Sequence, residues 1–472
     1  MSKSLDFIKT SGIYFAGNVL TKVLSFLLLP LYTSRLNPAD FGYYNLSINI
    51  LTVIIPFFCL EVWSAILRFA LNPEREDDRE RTIFSAWIIL LFGFTVFTLG
   101  YFVAKFVYHV PYINYIYVFC IVQTLQYAYN SIARGYGENL LYASSGLLCS
   151  FVNLSTNVIL ITVFGQGIES LYTSATLGMI LQIVIIECKV KTFKRMSFKL
   201  FDWNFLKEMI RFSLPLSFNT ICYFFAGSYN SIVISNVLGL ESNGLYSVAG
   251  KFVTVLTLVT SCFTMSLQEM TYRSSSDKNR GSFYTATINY YFKFITIAIL
   301  AIIPAVKIVY PFFVADAYAG SLSVVPLYFL STVASNYSSC LGNYFMAEKQ
   351  TKPLTISLLV AGITNFILIH SLIGKFGMQA SNIALFVAFS LACVLRLVMF
   401  KRIGELKFDF KYLGVFLVLF AGMMVIFYKA GVILNLIWIV FIGLVFIYYF
   451  KDFIFPLISQ IFGSIFKKKK SM

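Results

Sequence analysis

Apolar residues in this chain gather into long runs separated by short breaks. Runs of spanning length fall near 11–33, 42–66, 83–104, 112–133, 141–163, 169–188, 211–237, 244–268, 285–310, 322–345, 354–373, 378–399, 412–428 and 432–450. A helix needs about 20 such residues to cross a bilayer, so each run predicts one membrane span. The breaks carry turn signals, among them Asn37-Pro38, Gly165-Gln166-Gly167 and Gly239. The pattern predicts an all-α polytopic membrane protein of about 14 transmembrane helices, with an even number of crossings.

The basic residues test this division independently. Numbered alternately, one set of loops holds 28 of the 37 Lys and Arg, including seven between 189 and 211 and the lysine run at 467–470. The opposite set holds only Arg35, Lys105, Lys307, Lys375 and Lys429. Cytoplasmic loops are the basic ones, which places both termini on the cytoplasmic side. The N-terminus, with Lys3, Asp6 and Lys9, lacks a short apolar core and cleavage site. Its first helix is therefore expected to act as an uncleaved insertion signal.

The chain repeats itself. Phe7-Ile8-Lys9 opens the first helix and Met209-Ile210-Arg211 the seventh; Phe41-Gly42-Tyr43-Tyr44 is matched by Asn243-Gly244-Leu245-Tyr246, at the same offset of 202. Thr156-Asn157 is echoed by Thr364-Asn365, and Phe164-Gly165 by Phe376-Gly377. A repeat of six helices returns in the same orientation, so the halves are related by an axis along the membrane normal. The expected organisation is a six-helix lobe over 1–200, a second over 201–405, and two further helices with a basic cytoplasmic tail over 406–472.

The opening Gly17-Asn18-Val19-Leu20-Thr21-Lys22, then Pro30, Arg35-Leu36-Asn37-Pro38 and Phe41-Gly42-Tyr43-Tyr44, resembles the Wzx-like polysaccharide biosynthesis flippases. So does Phe201-Asp202 with Leu206-Lys207 and the following Phe212-Ser213-Leu214-Pro215. These proteins belong to the multidrug/oligosaccharidyl-lipid/polysaccharide (MOP) exporter superfamily. The resemblance implies a flippase in the bacterial plasma membrane. Its cargo would be an undecaprenyl-diphosphate-linked oligosaccharide repeat unit for O-antigen, capsule or exopolysaccharide. It further implies membrane lipids, a polysaccharide polymerase and a chain-length regulator as partners. The alternatives are a MATE-like small-molecule exporter, a lipid II flippase of the same superfamily, and a membrane polysaccharide polymerase or ligase.

Composition narrows the chemistry. Charged residues make up 12% of the chain against about 25% in soluble domains. That excludes a water-soluble enzyme, a disordered chain and a nucleic-acid binder, despite the net charge of +16. The eight cysteines form no CxxC pair and read as small hydrophobes. His109 and His370 have no ligand-spaced neighbour, so neither a metal nor a cofactor is expected. No large outer loop carries a positioned carboxylate set, which argues against a polymerase, and no Walker-type phosphate loop is present.

The informative charges lie inside the spans: Lys22, Lys251, Lys293 and Arg396, with Glu61 as the acidic counterpart. Each costs about 2.5–3.5 kcal/mol at mid-bilayer on insertion scales, so each should face a wet cavity or a partner. All four cations are candidates to bind an anionic cargo; Lys293 and Arg396 are also placed to snorkel toward cytoplasmic headgroups. A net positive charge argues against an exporter of cations. Glu61 either pairs with a cavity lysine or titrates as the site coupling transport to an ion. Tyr129, Tyr344, Asn130, Asn230 and Asn336 mark helices less suited to lipid and are candidates to line a sugar path.

Overall fold

The computed structural model describes residues 22–23, 26–71, 77–274, 280–348, 350, 352–400 and 407–469, and the side chains of all but 262, 265–266, 268–270, 272–274, 280 and 452–469. Several of the positions named above fall outside the described residues: Lys3, Lys9, the 17–21 part of the opening motif and Lys470; so do Arg75, Lys278, Lys349, Lys401 and Arg402 of the basic loops counted there.

Seventeen α-helices and no strand make up the described residues. The first eight are α1 (Leu29–Arg35), α2 (Pro38–Cys59), α3 (Val62–Leu71), α4 (Asp78–Phe106), α5 (Ile113–Gly135), α6 (Asn139–Thr162), α7 (Glu169–Val190) and the single turn α8 (Thr192–Arg195). Then come α9 (Trp203–Ala226), α10 (Tyr229–Leu238), α11 (Leu240–Ser274), α12 (Arg280–Phe313), α13 (Val325–Ala347), α14 (Lys352–Phe376) and α15 (Gln379–Phe400). The last two are α16 (Phe410–Lys429) and α17 (Val432–Lys469). Eleven helices among the described residues are long and apolar enough to cross a membrane, or twelve when α9 and α10, bent by 41° at their junction, count as one span. Among the described residues the count stops short of fourteen. The expected span over 11–33 lies largely outside the described residues, and α5, expected over 112–133, is a 23-residue helix too polar to qualify by composition.

Local chemistry explains the sequence motifs that carried the resemblance. Asn37 caps α2: its side-chain oxygen accepts from the Asp40 amide at 2.7 Å, its Nδ2 donates to Asp40 Oδ2 at 2.8 Å, and Pro38 fills the first helical position. Asp202 caps α9 in the same way, accepting from the amides of Asn204 and Phe205 at 2.9 and 3.2 Å. Both motifs are helix-start devices.

The sequence repeat reappears as repeated contacts. Gly165 and Gly377 both take the left-handed conformation just past the ends of α6 and α14, at φ +62° and +54°. Asn157 Nδ2 donates to Ser174 Oγ at 2.7 Å. The repeat-related Asn365 reaches Ser381 through Asn230, whose Nδ2 donates to Asn365 Oδ1 at 3.2 Å and to Ser381 Oγ at 2.9 Å. Gly42 and Gly244 pack on one another's helices. A Cβ on Gly42 would lie 1.9 Å from the Leu240 carbonyl oxygen, and one on Gly244 would lie 1.9 Å from that of Pro38. Asn243 seals the approach by donating to the Gly42 carbonyl at 2.8 Å.

The chain divides into two compact units. The first comprises Met1–Lys251, Val314–Ser321 and Leu358–Ala388; the second comprises Phe252–Phe313, Leu322–Ser357 and Phe389–Met472. In the first, α3, α4, α5 and α9 bury Val62, Ile66, Ile89, Ile132 and Met209. Small residues permit close helix packing there, as expected where lipid offers no hydrophobic drive. Gly93 meets the Phe58 carbonyl, and Gly178 the Cys149 carbonyl. In the second, α12 is the hub. Its Thr296 and the Tyr412 hydroxyl are 2.8 Å apart, and Trp438 of α17 donates to the Leu300 carbonyl at 3.2 Å. Lys307 donates to the Ala430 carbonyl at 2.8 Å and to that of Phe427, satisfying the open end of α16.

Candidate functional site

The first unit holds Glu61 at a break in the chain. One continuous span is expected over 42–66, yet the helix stops at Cys59 and restarts at Val62. Leu60 and Glu61 take left-handed φ values of 51° and 49°. Two successive non-glycine residues in that region cost of order 1–3 kcal/mol each, and such strain gathers at functional positions. The Glu61 carboxylate accepts from Thr220 Oγ1 of α9 at 2.7 Å and from Ser64 Oγ at 3.1 Å. Among the described residues it meets hydroxyls and no cation; neither Lys22 nor Lys251 reaches it.

Lys251, in α11, is half-buried, with its ammonium 6.0 Å from the centroid of the Phe41 ring. Phe41 in turn packs against Tyr32 and Tyr318, at ring separations of 5.8 and 6.3 Å. Among the described residues no carboxylate lies within ion-pair distance of Lys251, so this cation stands against an aromatic wall. Lys22 is half-buried on a helical turn.

In the second unit, Lys293 and Arg396 have separate settings. Lys293 Nζ forms a 2.9 Å ion pair with Asp409, the residue that caps α16, and lies over the Tyr412 and Tyr449 rings. Arg396 is buried, donating from Nε to Ser357 Oγ at 2.8 Å and from Nη1 to the Ser338 carbonyl. Both are tied to groups of their own unit.

The Lys293 pair yields a pH expectation. The Asp409 carboxyl lies outside the span of α16, and it is held below the usual aspartate range by the hydrogen bond from Lys293 and then by that from the Tyr412 amide. A depressed carboxyl pKa contributes stability above its unfolded value of about 4, and that contribution is lost as pH falls through the folded value. The melting temperature of Asp409→Asn should therefore lie below wild type at pH 7, with the gap closing below about pH 4. A gap unchanged with pH would assign the effect to packing alone.

The polar aromatic helices are largely committed to one another. Asn130 accepts from Gln182 at 2.9 Å, Tyr129 donates to Glu187 at 3.2 Å, and Asn336 donates to Thr260 at 3.2 Å. Tyr344 and Thr287 share a 2.8 Å bond. His370 lies 3.0 Å from the Tyr229 hydroxyl. Thr220 and Ser64, which hold Glu61, gave no sequence signal, because a hydroxyl on an apolar helix is commonplace.

Described residues that are helical without a strand, with eleven helices long and apolar enough to cross a membrane, define a polytopic membrane protein. The chain belongs to the polysaccharide biosynthesis protein family, whose model it matches over residues 7–268. Solved structures share the fold at low identity. An inward-facing multidrug resistance MATE family transporter of the MOP superfamily has a TM-score of 0.66 at 14% identity, covering 81% of this chain and 94% of its own. The lipid II flippase MurJ, in an inward closed conformation, has a TM-score of 0.65 at 16% identity, covering 95% and 100%. A MOP superfamily transporter from Pyrococcus furiosus, described as having a binding pocket of reverse polarity, has a TM-score of 0.56 at 15% identity, covering 84% and 95%. No curated protein matches the chain.

Proposed function

We propose that the chain is a flippase that moves an undecaprenyl-diphosphate-linked oligosaccharide repeat unit from the cytoplasmic to the outer leaflet of a bacterial plasma membrane. Both termini face the cytoplasm, and lobes over 1–200 and 201–405, with two helices over 406–472 appended, alternate access to a central path. The observation that carries this reading is Lys251, a half-buried cation against aromatic rings with no carboxylate within reach among the described residues. Membership of the polysaccharide biosynthesis family supports the cargo class. A diphosphate crossing hydrocarbon loses its hydration, and a cation held in the path replaces part of it. Lys22 is the second cation proposed for that path. Lys293 and Arg396 act instead in holding their own helices.

Glu61 is proposed as the coupling site. Its carboxylate rests on two hydroxyls at a helix break rather than on a lysine, an arrangement suited to exchanging a proton or a Na⁺ ion. No bond is made or broken in the cycle. Transport in sealed vesicles should proceed without ATP, stop when the proton or Na⁺ gradient is collapsed, and become insensitive to that collapse in Glu61→Gln. A strict ATP requirement by the purified protein would overturn the coupling proposal. Externally added thiol reagents should label cysteines placed at 165–168 and 239–242 in intact cells, but not those at 195–200. Labelling at 195–200 would invert the topology.

A further inference from the structure

Helices α2 and α4 touch at Gly93, where an added Cβ would lie 2.7 Å from the Phe58 carbonyl oxygen. From that crossing toward the turn between α4 and α5, the three helices leave an apolar cavity of about 430 Å³. Its lining runs along α2 from Phe58 to Tyr43, a length of about 22 Å at 1.5 Å per residue. One leaflet of hydrocarbon is about 15 Å deep. The space therefore suits an extended chain and not a compact solute.

Nothing in the lining invites water. The Tyr43 hydroxyl donates to the Pro111 carbonyl at 2.6 Å, that of Tyr101 to Asn114 at 2.7 Å, and that of Tyr117 shares a 2.9 Å bond with Thr98. Ser47 is bonded to Tyr172 at 2.6 Å. A buried water needs two to four polar partners, so an apolar space of this kind stays dry or takes an apolar guest. At the rim, Lys105 Nζ sits 3.2 Å from the Tyr101 hydroxyl, beside the Tyr101 and Phe106 rings. No carboxylate among the described residues reaches it within ion-pair distance, which leaves its ammonium free to meet an anion at headgroup level.

We propose that this groove is a binding site for an anionic glycerophospholipid, with one acyl chain along α2 and its phosphate on Lys105. The leaflet is the one beside the α4–α5 turn, which is the outer leaflet on the charge-based topology. All three walls come from the first half of the chain, so occupancy does not require a cargo in transit; this favours a resident phospholipid over the polyprenyl chain of the cargo.

The test uses the full chain in nanodiscs of phosphatidylglycerol and phosphatidylcholine, each supplied in turn with a photoactivatable acyl chain. Adducts on the peptides containing 43–58 and 97–104 should favour phosphatidylglycerol about fivefold, the order expected of one lysine at an anionic headgroup. An added Cβ at Gly100 meets nothing within 4 Å, so a side chain there can grow into the groove without a backbone clash. Gly100→Trp should reduce the adducts to background, and Gly100→Leu, a smaller filler that keeps the test open if the tryptophan misfolds, should reduce them in part. Lys105→Gln should keep the adducts but lose the preference. Labelling of either Gly100 variant equal to wild type, or equal labelling by the two lipids in wild type, would overturn the proposal. Displacement of phosphatidylglycerol by an equal amount of polyprenyl phosphate would also overturn it, assigning the groove to the cargo chain.

Discussion

Gly42→Ala and Gly244→Ala should each deplete folded protein severely. The added methyl would sit 1.9 Å from a backbone carbonyl oxygen in both cases, and backbone, unlike a flexible side chain, cannot rotate away. The two helices must separate, breaking the 2.8 Å bond from Asn243 to the Gly42 carbonyl. Overpacking of a close contact costs about 1–3 kcal/mol, and a main-chain clash belongs at the top of that range or beyond. Gly443→Ala, where an added Cβ meets nothing within 4 Å, should be near neutral. Thermal unfolding in detergent, read alongside the monodisperse yield, makes the comparison. Equal behaviour of the three variants would mean that α2 and α11 do not approach as closely as described.

Lys251→Ala should abolish export while the protein remains inserted at its normal level, with the lipid-linked precursor accumulating on the cytoplasmic side. Removing a desolvated charge partner of a phosphate costs about 2 kcal/mol or more, roughly thirtyfold in rate or affinity. Lys251→Arg should retain part of the activity, because the cation survives with altered geometry. Lys22→Ala is expected to behave in the same way. Because Glu61 rests on Ser64 and Thr220, the Lys22→Ala/Glu61→Ala double variant should not regain transport. Recovery in the double variant would make the two residues a neutralising pair. Normal export by both single alanine variants would remove the cavity lysines from the mechanism.

Much of the fold is legible in the sequence because its causes are local. Span length sets the apolar runs, and the Asn37-Pro38 and Asp202 motifs announce helix starts that the caps then make. Repeat-related residues recur in like conformations, as Gly165 and Gly377 do. Long-range partners are not legible. Nothing before Asp409 says that it will arrive at Lys293, 116 residues earlier, so a cation that reads as a cavity residue is tied to the start of α16. Arg396 likewise finds Ser338 and Ser357 on neighbouring helices. The break at Leu60 and Glu61 has no glycine or proline to mark it; tertiary contacts, including that from Thr220, hold a conformation that local propensity disfavours.

The most direct test of the flippase reading is translocation of a fluorescent undecaprenyl-diphosphate saccharide in proteoliposomes holding the purified protein, an ion gradient and no nucleotide. The flippase reading predicts that the label becomes accessible in the opposite leaflet far faster than in protein-free vesicles, and that Lys251→Ala vesicles match the protein-free ones. Movement no faster than in protein-free vesicles, with correctly inserted wild-type protein and an intact gradient, would contradict it.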